Sequence, residues 1–120
     1  MKHYIVLLDR NAIPGELRIP EFDHIWVEHP GVAPGECVAL LWRASIAVTC
    51  TSPIGRADID ACPKLQLIIV TGPRVDVVDL QACEGRGIRV SHLPPDGTPA
   101  QARADALMDR IEAFVRDGTV

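Results

Sequence analysis

At 120 residues, 48% of them hydrophobic, the chain is long enough for one α/β domain with a single core and too short for two. Its net charge of −4 argues against nucleic acid or an anionic membrane surface as the main partner. No apolar run approaches the ~20 residues of a membrane helix, and the amino terminus lacks a signal-peptide layout, so a cytoplasmic location is the expectation.

In chain order, Tyr4–Leu8 reads as the first strand. Arg10–Asp23, interrupted by Pro14, Gly15 and Pro20, reads as a loop with one turn at most. His24–Glu28 is the second strand. Pro34 then suits a first helical turn, after which Cys37, Leu40, Leu41 and Ala44 fall on one helical face. Ser45–Cys50 is the third strand, a short helical turn follows Arg56, and Leu67–Thr71 is the fourth strand. Asp79–Glu84 reads as a helix closed by Gly85 and Gly87, and Ile88–His92 is the fifth strand. Several strands are almost continuously apolar, the pattern of strands covered on both faces. Strands alternating with helices imply a mostly parallel sheet.

The last segment carries the clearest local signal. Thr98-Pro99-Ala100-Gln101 reads as a capping box with proline in the first turn. Ala104, Leu107, Met108, Ile111, Phe114 and Val115 recur at helical spacing, Glu112 and Arg116 form an i,i+4 pair, and Gly118 supplies a stop. Cys37, Cys50, Cys62 and Cys83 show no C-x-x-C pair and no histidine at finger spacing, so they read as small buried apolar residues. His3, His24 and His29 have no metal-ligand spacing, and no metal site is expected. Trp26 and Trp42 read as core or helix-packing residues.

The order of these segments resembles the substrate-binding domain of the D-2-hydroxyacid dehydrogenases. Ala44-Ser45-Ile46-Ala47-Val48-Thr49 and Cys62-Pro63-Lys64-Leu65-Gln66-Leu67-Ile68 are similar to the family's A-D-I-x-I-T strand and the L-P-x-L-K-x-I that follows. Gly72-Pro73-Arg74-Val75-Asp76-Val77-Val78-Asp79-Leu80-Gln81-Ala82-Cys83 resembles G-x-G-x-D-x-V-D-L-x-A-A. Gly85-Arg86-Gly87-Ile88-Arg89-Val90-Ser91-His92-Leu93-Pro94 resembles E-R-G-I-x-V-x-N-x-P. Ile19-Pro20 and His24-Ile25-Trp26 resemble the glycerate dehydrogenase and hydroxypyruvate reductase branch. The resemblance implies a flavodoxin-like, five-stranded parallel sheet of order 2-1-3-4-5 over residues 1–97. Residues 98–120 then correspond to the helix that leads into the family's nucleotide domain.

That nucleotide domain holds the family's G-x-G-x-x-G loop and its catalytic arginine, glutamate and histidine. This sequence contains no G-x-G-x-x-G, so no NAD(P) or other cofactor is expected to bind. The substrate loop also departs from the family. Pro73 removes a backbone N–H, and Arg74 replaces a glycine that lets ligand and backbone approach. The family's V-A-E/Q reads Gln101-Ala102-Arg103, and its asparagine after the fifth strand is His92.

Ligands of open parallel sheets collect at the carboxyl ends of the strands. That edge carries Asp9, Arg10, His29, Thr51, Ser52, Gly72, Arg74, His92 and Asp96. Thr51, Ser52, Gly72, Arg74 and His92 are the expected substrate-binding residues, with Arg74 as anion clamp and His92 as acid/base, set against a solvated arginine and a histidine held by a local hydrogen bond. The leading expectation is a free-standing substrate-domain homologue that binds a small carboxylate or a protein partner and has no redox activity of its own. The alternatives are an enzyme of another class in the same crevice, and one subunit of a split dehydrogenase whose nucleotide domain is a separate chain. For the terminal helix two packings are open: folded back on its own sheet, or in a homodimer through Leu107, Met108, Ile111, Phe114 and Val115. Pro94 and Pro95 stiffen the linker Leu93–Gly97, which favours the dimer.

Overall fold

In a computed structural model, which describes residues 2–33, 35–95 and 97–117, the five strands form one sheet of order β2-β1-β3-β4-β5. They are β1 (His3–Leu7), β2 (His24–Glu28), β3 (Ile46–Thr49), β4 (Leu67–Val70) and β5 (Arg89–His92), and every pairing is parallel. The helices are α1 (Cys37–Leu41), α2 (Arg56–Asp60), α3 (Leu80–Arg86) and α4 (Ala100–Asp117). Pro34, Asp96 and Gly118, to which the sequence assigns a helix start, an edge residue and a helix stop, lie outside the described residues.

The period of two along a strand, with a layer packed on each face, explains why β3 and β4 are buried throughout. Val6, Ala47, Ile68 and Val70 face one layer, where Cys37 and Leu41 of α1, Ile59 of α2, and Ala82 and Cys83 of α3 cover them. Ile5, Leu7, Ile46, Val48, Leu67 and Ile69 face the other, and there α4 supplies Leu107, Met108 and Ile111. The chain is therefore a three-layer sandwich with α4 as the cover of one face. Burial pushes the Cys37 thiol up to about 12 and raises Cys62 and Cys83 in the same direction, so all three behave as apolar packing groups.

The position of α4 corrects the expectation that a stiff linker holds the helix away from the sheet. Leu107, Met108 and Ile111 are at most 1% exposed, buried against the strands of their own chain, and Phe114 and Val115 pack beside them half-buried. The loop between β1 and β2 fixes this arrangement. Gln101 exchanges two hydrogen bonds with the backbone of Glu16, accepting from its N–H at 3.1 Å and donating to its carbonyl at 2.9 Å. Arg18 reaches Asp109 and Glu112 at 2.6 Å each. Gly15, at φ +87°, approaches so closely that a Cβ there would stand 2.8 Å from the Ala100 carbonyl oxygen. Gln101 is thus engaged with this loop and with Asp105, where the sequence suggested a capping box, and Glu112 pairs with Arg18.

Two further details differ from the sequence reading. Gly85 lies inside α3, and Gly87, at φ +69°, alone forms the left-handed cap. Trp42 is 52% exposed, its ring covered by the Arg43 guanidinium 4.9 Å from the centroid, while Trp26 is half-buried and donates to Glu28.

Candidate functional site

The chain leaves β1 towards β2 on one side and β3 on the other, so the crevice between the carboxyl ends of β1 and β3 is the switch point where an open sheet of this order receives ligands. Here it is filled from within. The buried carboxylate of Asp9, just beyond β1, accepts three successive backbone N–H bonds, from Cys50 at 2.9 Å and from Thr51 and Ser52 at 3.0 Å each. Its other oxygen takes the Ser52 hydroxyl at 2.6 Å. Burial would raise this carboxyl, but the hydrogen bonds from Ser52, Cys50 and Thr51 outweigh it and hold the group below its ordinary range. The N–H groups that make Thr51 and Ser52 suitable for an external anion are therefore occupied by the protein's own.

The turn after β4 is pressed against the same loop. A Cβ on Gly72 would lie 2.3 Å from the Cys50 carbonyl oxygen, which is why glycine stands there. The Gly72 carbonyl lies 2.8 Å from His92 Nε2. A carbonyl only accepts, so that nitrogen carries the hydrogen and the ring is tethered, as the local-hydrogen-bond reading anticipated. Arg74 points elsewhere. Its side chain is 75% exposed and forms a two-point pair with Asp76, Nε to Oδ1 at 3.0 Å and Nη2 to Oδ2 at 2.6 Å. Each partner holds the other charged: the arginine is raised and the carboxyl of Asp76 lowered. Arg74 does not line the crevice.

Between the strand ends and α4 lies a cavity of about 160 Å³. Thr71 and Leu93 close it from the ends of β4 and β5, Ile13 and Pro14 from the loop after β1, and Ala102, Arg103, Ala106 and Leu107 from α4. Arg103 is the cation of this cavity. Its Nη2 donates to the Thr71 carbonyl at 3.1 Å, and no carboxylate among the described residues pairs with it. A half-buried guanidinium bound to one carbonyl keeps most of its five donors for a ligand.

Thus Gly72 and His92 are brought together, Thr51 and Ser52 are joined to Asp9, and Arg74 stands apart. Arg103, at a position where the resemblance implies an acid or amide, escaped the sequence-based site. Its spacing carried the signal. Arg103 sits one turn before Leu107 on the apolar stripe, with Pro99, Ala100, Ala106 and Leu107 at the i±3 and i±4 positions and no acid to pair with.

No helix among the described residues is long and apolar enough to cross a membrane. Residues 8–104 match the family model described as D-isomer specific 2-hydroxyacid dehydrogenase, catalytic domain. A relative from Haemophilus influenzae with the provisional name 2-hydroxyacid dehydrogenase is 34% identical over 91 residues, which cover 74% of this chain and 29% of the relative. A solved structure described with the identification of the pyruvate reductase of Chlamydomonas reinhardtii superposes with a TM-score of 0.55 at 18% identity, covering 96% of this chain and 38% of that one. The chain spans about a third of the length of these proteins, and its strand order is the 2-1-3-4-5 that the resemblance implied. It belongs to the D-isomer specific 2-hydroxyacid dehydrogenase family, by the domain termed catalytic.

Proposed function

We propose that this domain holds a small carboxylate in the cavity between β4, β5 and α4, and that its own residues carry out no hydride transfer. The observation behind this reading is Arg103, a half-buried guanidinium without a carboxylate partner among the described residues, lining a cavity at the carboxyl edge of a parallel sheet. An anion there would gain charge-assisted hydrogen bonds from a half-buried guanidinium. At about 30 Å³ for the share of one water in the liquid, a cavity of about 160 Å³ has room for roughly five water molecules. That suits a small organic acid and is far below the size of a dinucleotide. The Gly-rich turn that cradles a pyrophosphate is absent from the sequence.

The competing enzyme reading, with Arg74 as clamp and His92 as acid/base, finds less support. Arg74 is committed to Asp76 outside the cavity, and His92 Nε2 to the Gly72 carbonyl. Calorimetric titration of this chain tests the proposal. Small 2-hydroxy and 2-oxo acids should bind wild type and fail to bind Arg103→Gln, while NADH and NADPH give no heat. Micromolar dinucleotide affinity, or acids bound equally by both proteins, would reject it.

A further inference from the structure

We infer that the opposite edge of the sheet carries a second site, for a small multivalent oxyanion whose charges are clustered, such as a phosphate ester or a polycarboxylate. A cavity of about 430 Å³ opens there, among the residues that begin the strands. Tyr4 and Ile25 are each second in their strands, β1 and β2, and Ser45 and Gln66 immediately precede β3 and β4. Among the described residues none lines both this cavity and the one beside Arg103, so the inference stands apart from the carboxylate reading above.

Lys2, Arg43 and Lys64 line this cavity and no aspartate or glutamate does, although the whole chain carries a net charge of −4. None of the three is ion-paired with a carboxylate among the described residues. Asp23, which precedes β2 at the same edge, lies outside the lining. Three like charges around one space repel one another, and the buried Leu65 beneath them adds no screening. A ligand of matching charge replaces that repulsion with attraction at three points, whereas a single carboxylate answers only part of the set. The cations are gathered about one concavity on an acidic chain, which fits a small ligand better than an extended polyanion.

Arg43 is held ready for such a ligand. Its guanidinium lies over the rings of Tyr4 and Trp42, 5.2 and 4.9 Å from their centroids, and Nη2 donates to the Tyr4 hydroxyl at 3.5 Å. Ring contacts use the face of a guanidinium, while its N–H donors lie in the plane. The side chain is thereby oriented with most of its donors left for an oxyanion. The two lysines supply compact charges that suit phosphate and carboxylate oxygens alike. The Ser45 hydroxyl is committed to the backbone of Tyr4, accepting from its N–H at 3.1 Å and donating to its carbonyl at 3.3 Å. Recognition at this site is therefore carried by charge.

Calorimetric titration of this chain with pyrophosphate, citrate and acetate tests the inference. Pyrophosphate or citrate should bind and acetate should not, and the tighter of the two tells phosphate from carboxylate chemistry. Binding should weaken steeply between about 0.02 M and about 0.5 M salt. Lys2→Gln and Lys64→Gln should each weaken the multivalent anion about threefold to fivefold, the range of exposed ion pairs. Arg43→Gln should weaken it about tenfold or more. If Arg43→Gln lowers the melting temperature through its lost ring contacts, the two lysine variants carry the test. Arg103→Gln should bind as wild type does. No binding of either multivalent anion, acetate bound as tightly, or affinity unchanged in the lysine variants would overturn the inference. So would loss of binding in Arg103→Gln, which would move the anion to the other cavity, or tighter binding of heparin than of pyrophosphate, which would make the patch a surface for long polyanions.

Discussion

Asp9 and Ser52 close the switch point of this sheet, the Ser52 hydroxyl donating to Asp9 Oδ1 at 2.6 Å while the Ser52 N–H donates to Oδ2 at 3.0 Å. With Cys50 and Thr51 adding two more N–H bonds, a carboxylate just beyond β1 organises the turn after β3. The geometry is that of an anion-binding nest whose anion is part of the chain. Asp9→Ala should leave these donors without their acceptor and destabilise the protein by about 3 kcal/mol, the scale of several charge-assisted bonds lost at a buried position. The carboxyl is depressed in the folded protein, so its contribution is complete above its unfolded value and is lost as pH falls through the lower folded one. Urea unfolding at neutral pH and at about pH 3 should show the gap between wild type and Asp9→Ala narrowing in acid. A constant gap would assign the effect to packing.

Gly72→Ala isolates the close approach of the two turns. A Cβ at 2.3 Å from the Cys50 carbonyl oxygen meets backbone, which cannot rotate away as a side chain would. The expected loss is about 2–3 kcal/mol, with the His92 contact to the Gly72 carbonyl disturbed as well. Chemical denaturation checks the magnitude, and an unchanged midpoint would mean the turns separate easily.

Arg18 serves α4 from the opposite end of the chain. It faces Asp105, Asp109 and Glu112 at once, and their hydrogen bonds and charge raise its affinity for a proton above that of an ordinary arginine. Because the group is partly solvated, the pairs are worth about 1 kcal/mol in total stability. Their removal should nevertheless loosen α4 selectively, since three carboxylates are then left together on its face. Hydrogen exchange of Arg18→Ala should show lost protection across α4 with β3 and β4 unchanged. Uniform loss over all elements would contradict this role.

The strands and their covering on both faces were legible because period-two burial leaves a continuous apolar run, as in Leu67–Val70. The sheet order came from the resemblance, and the stripe on α4 from its spacing. What covers that stripe was not legible. The residues that hold it, Glu16 and Arg18, are polar, lie in a proline-broken loop and meet α4 across 85 to 94 positions of sequence. The placement of the two arginines was not legible for a related reason. Arg74 stands at the family's substrate loop, yet Asp76 two residues on satisfies it, whereas Arg103 lies on a helix whose docking decides where it points.

Docking of α4 also bears on the assembly. A dimer through Leu107, Met108 and Ile111 was expected because an uncovered stripe would favour association, but these side chains are covered by Ile5, Val48, Leu67 and their neighbours in the same chain. A second copy could reach them only by exchanging the whole helix, with the loop contacts of Glu16 and Arg18 remade between chains. Those local contacts form without the loss of translational freedom that exchange requires. Light scattering at tens of micromolar should therefore return the mass of one chain. Leu107→Asp places a charge in the closed layer and should cost about 4 kcal/mol or abolish folding, with no change of mass among molecules that remain folded. A wild-type dimer that Leu107→Asp converts to folded monomer would instead assign the stripe to the interface between copies.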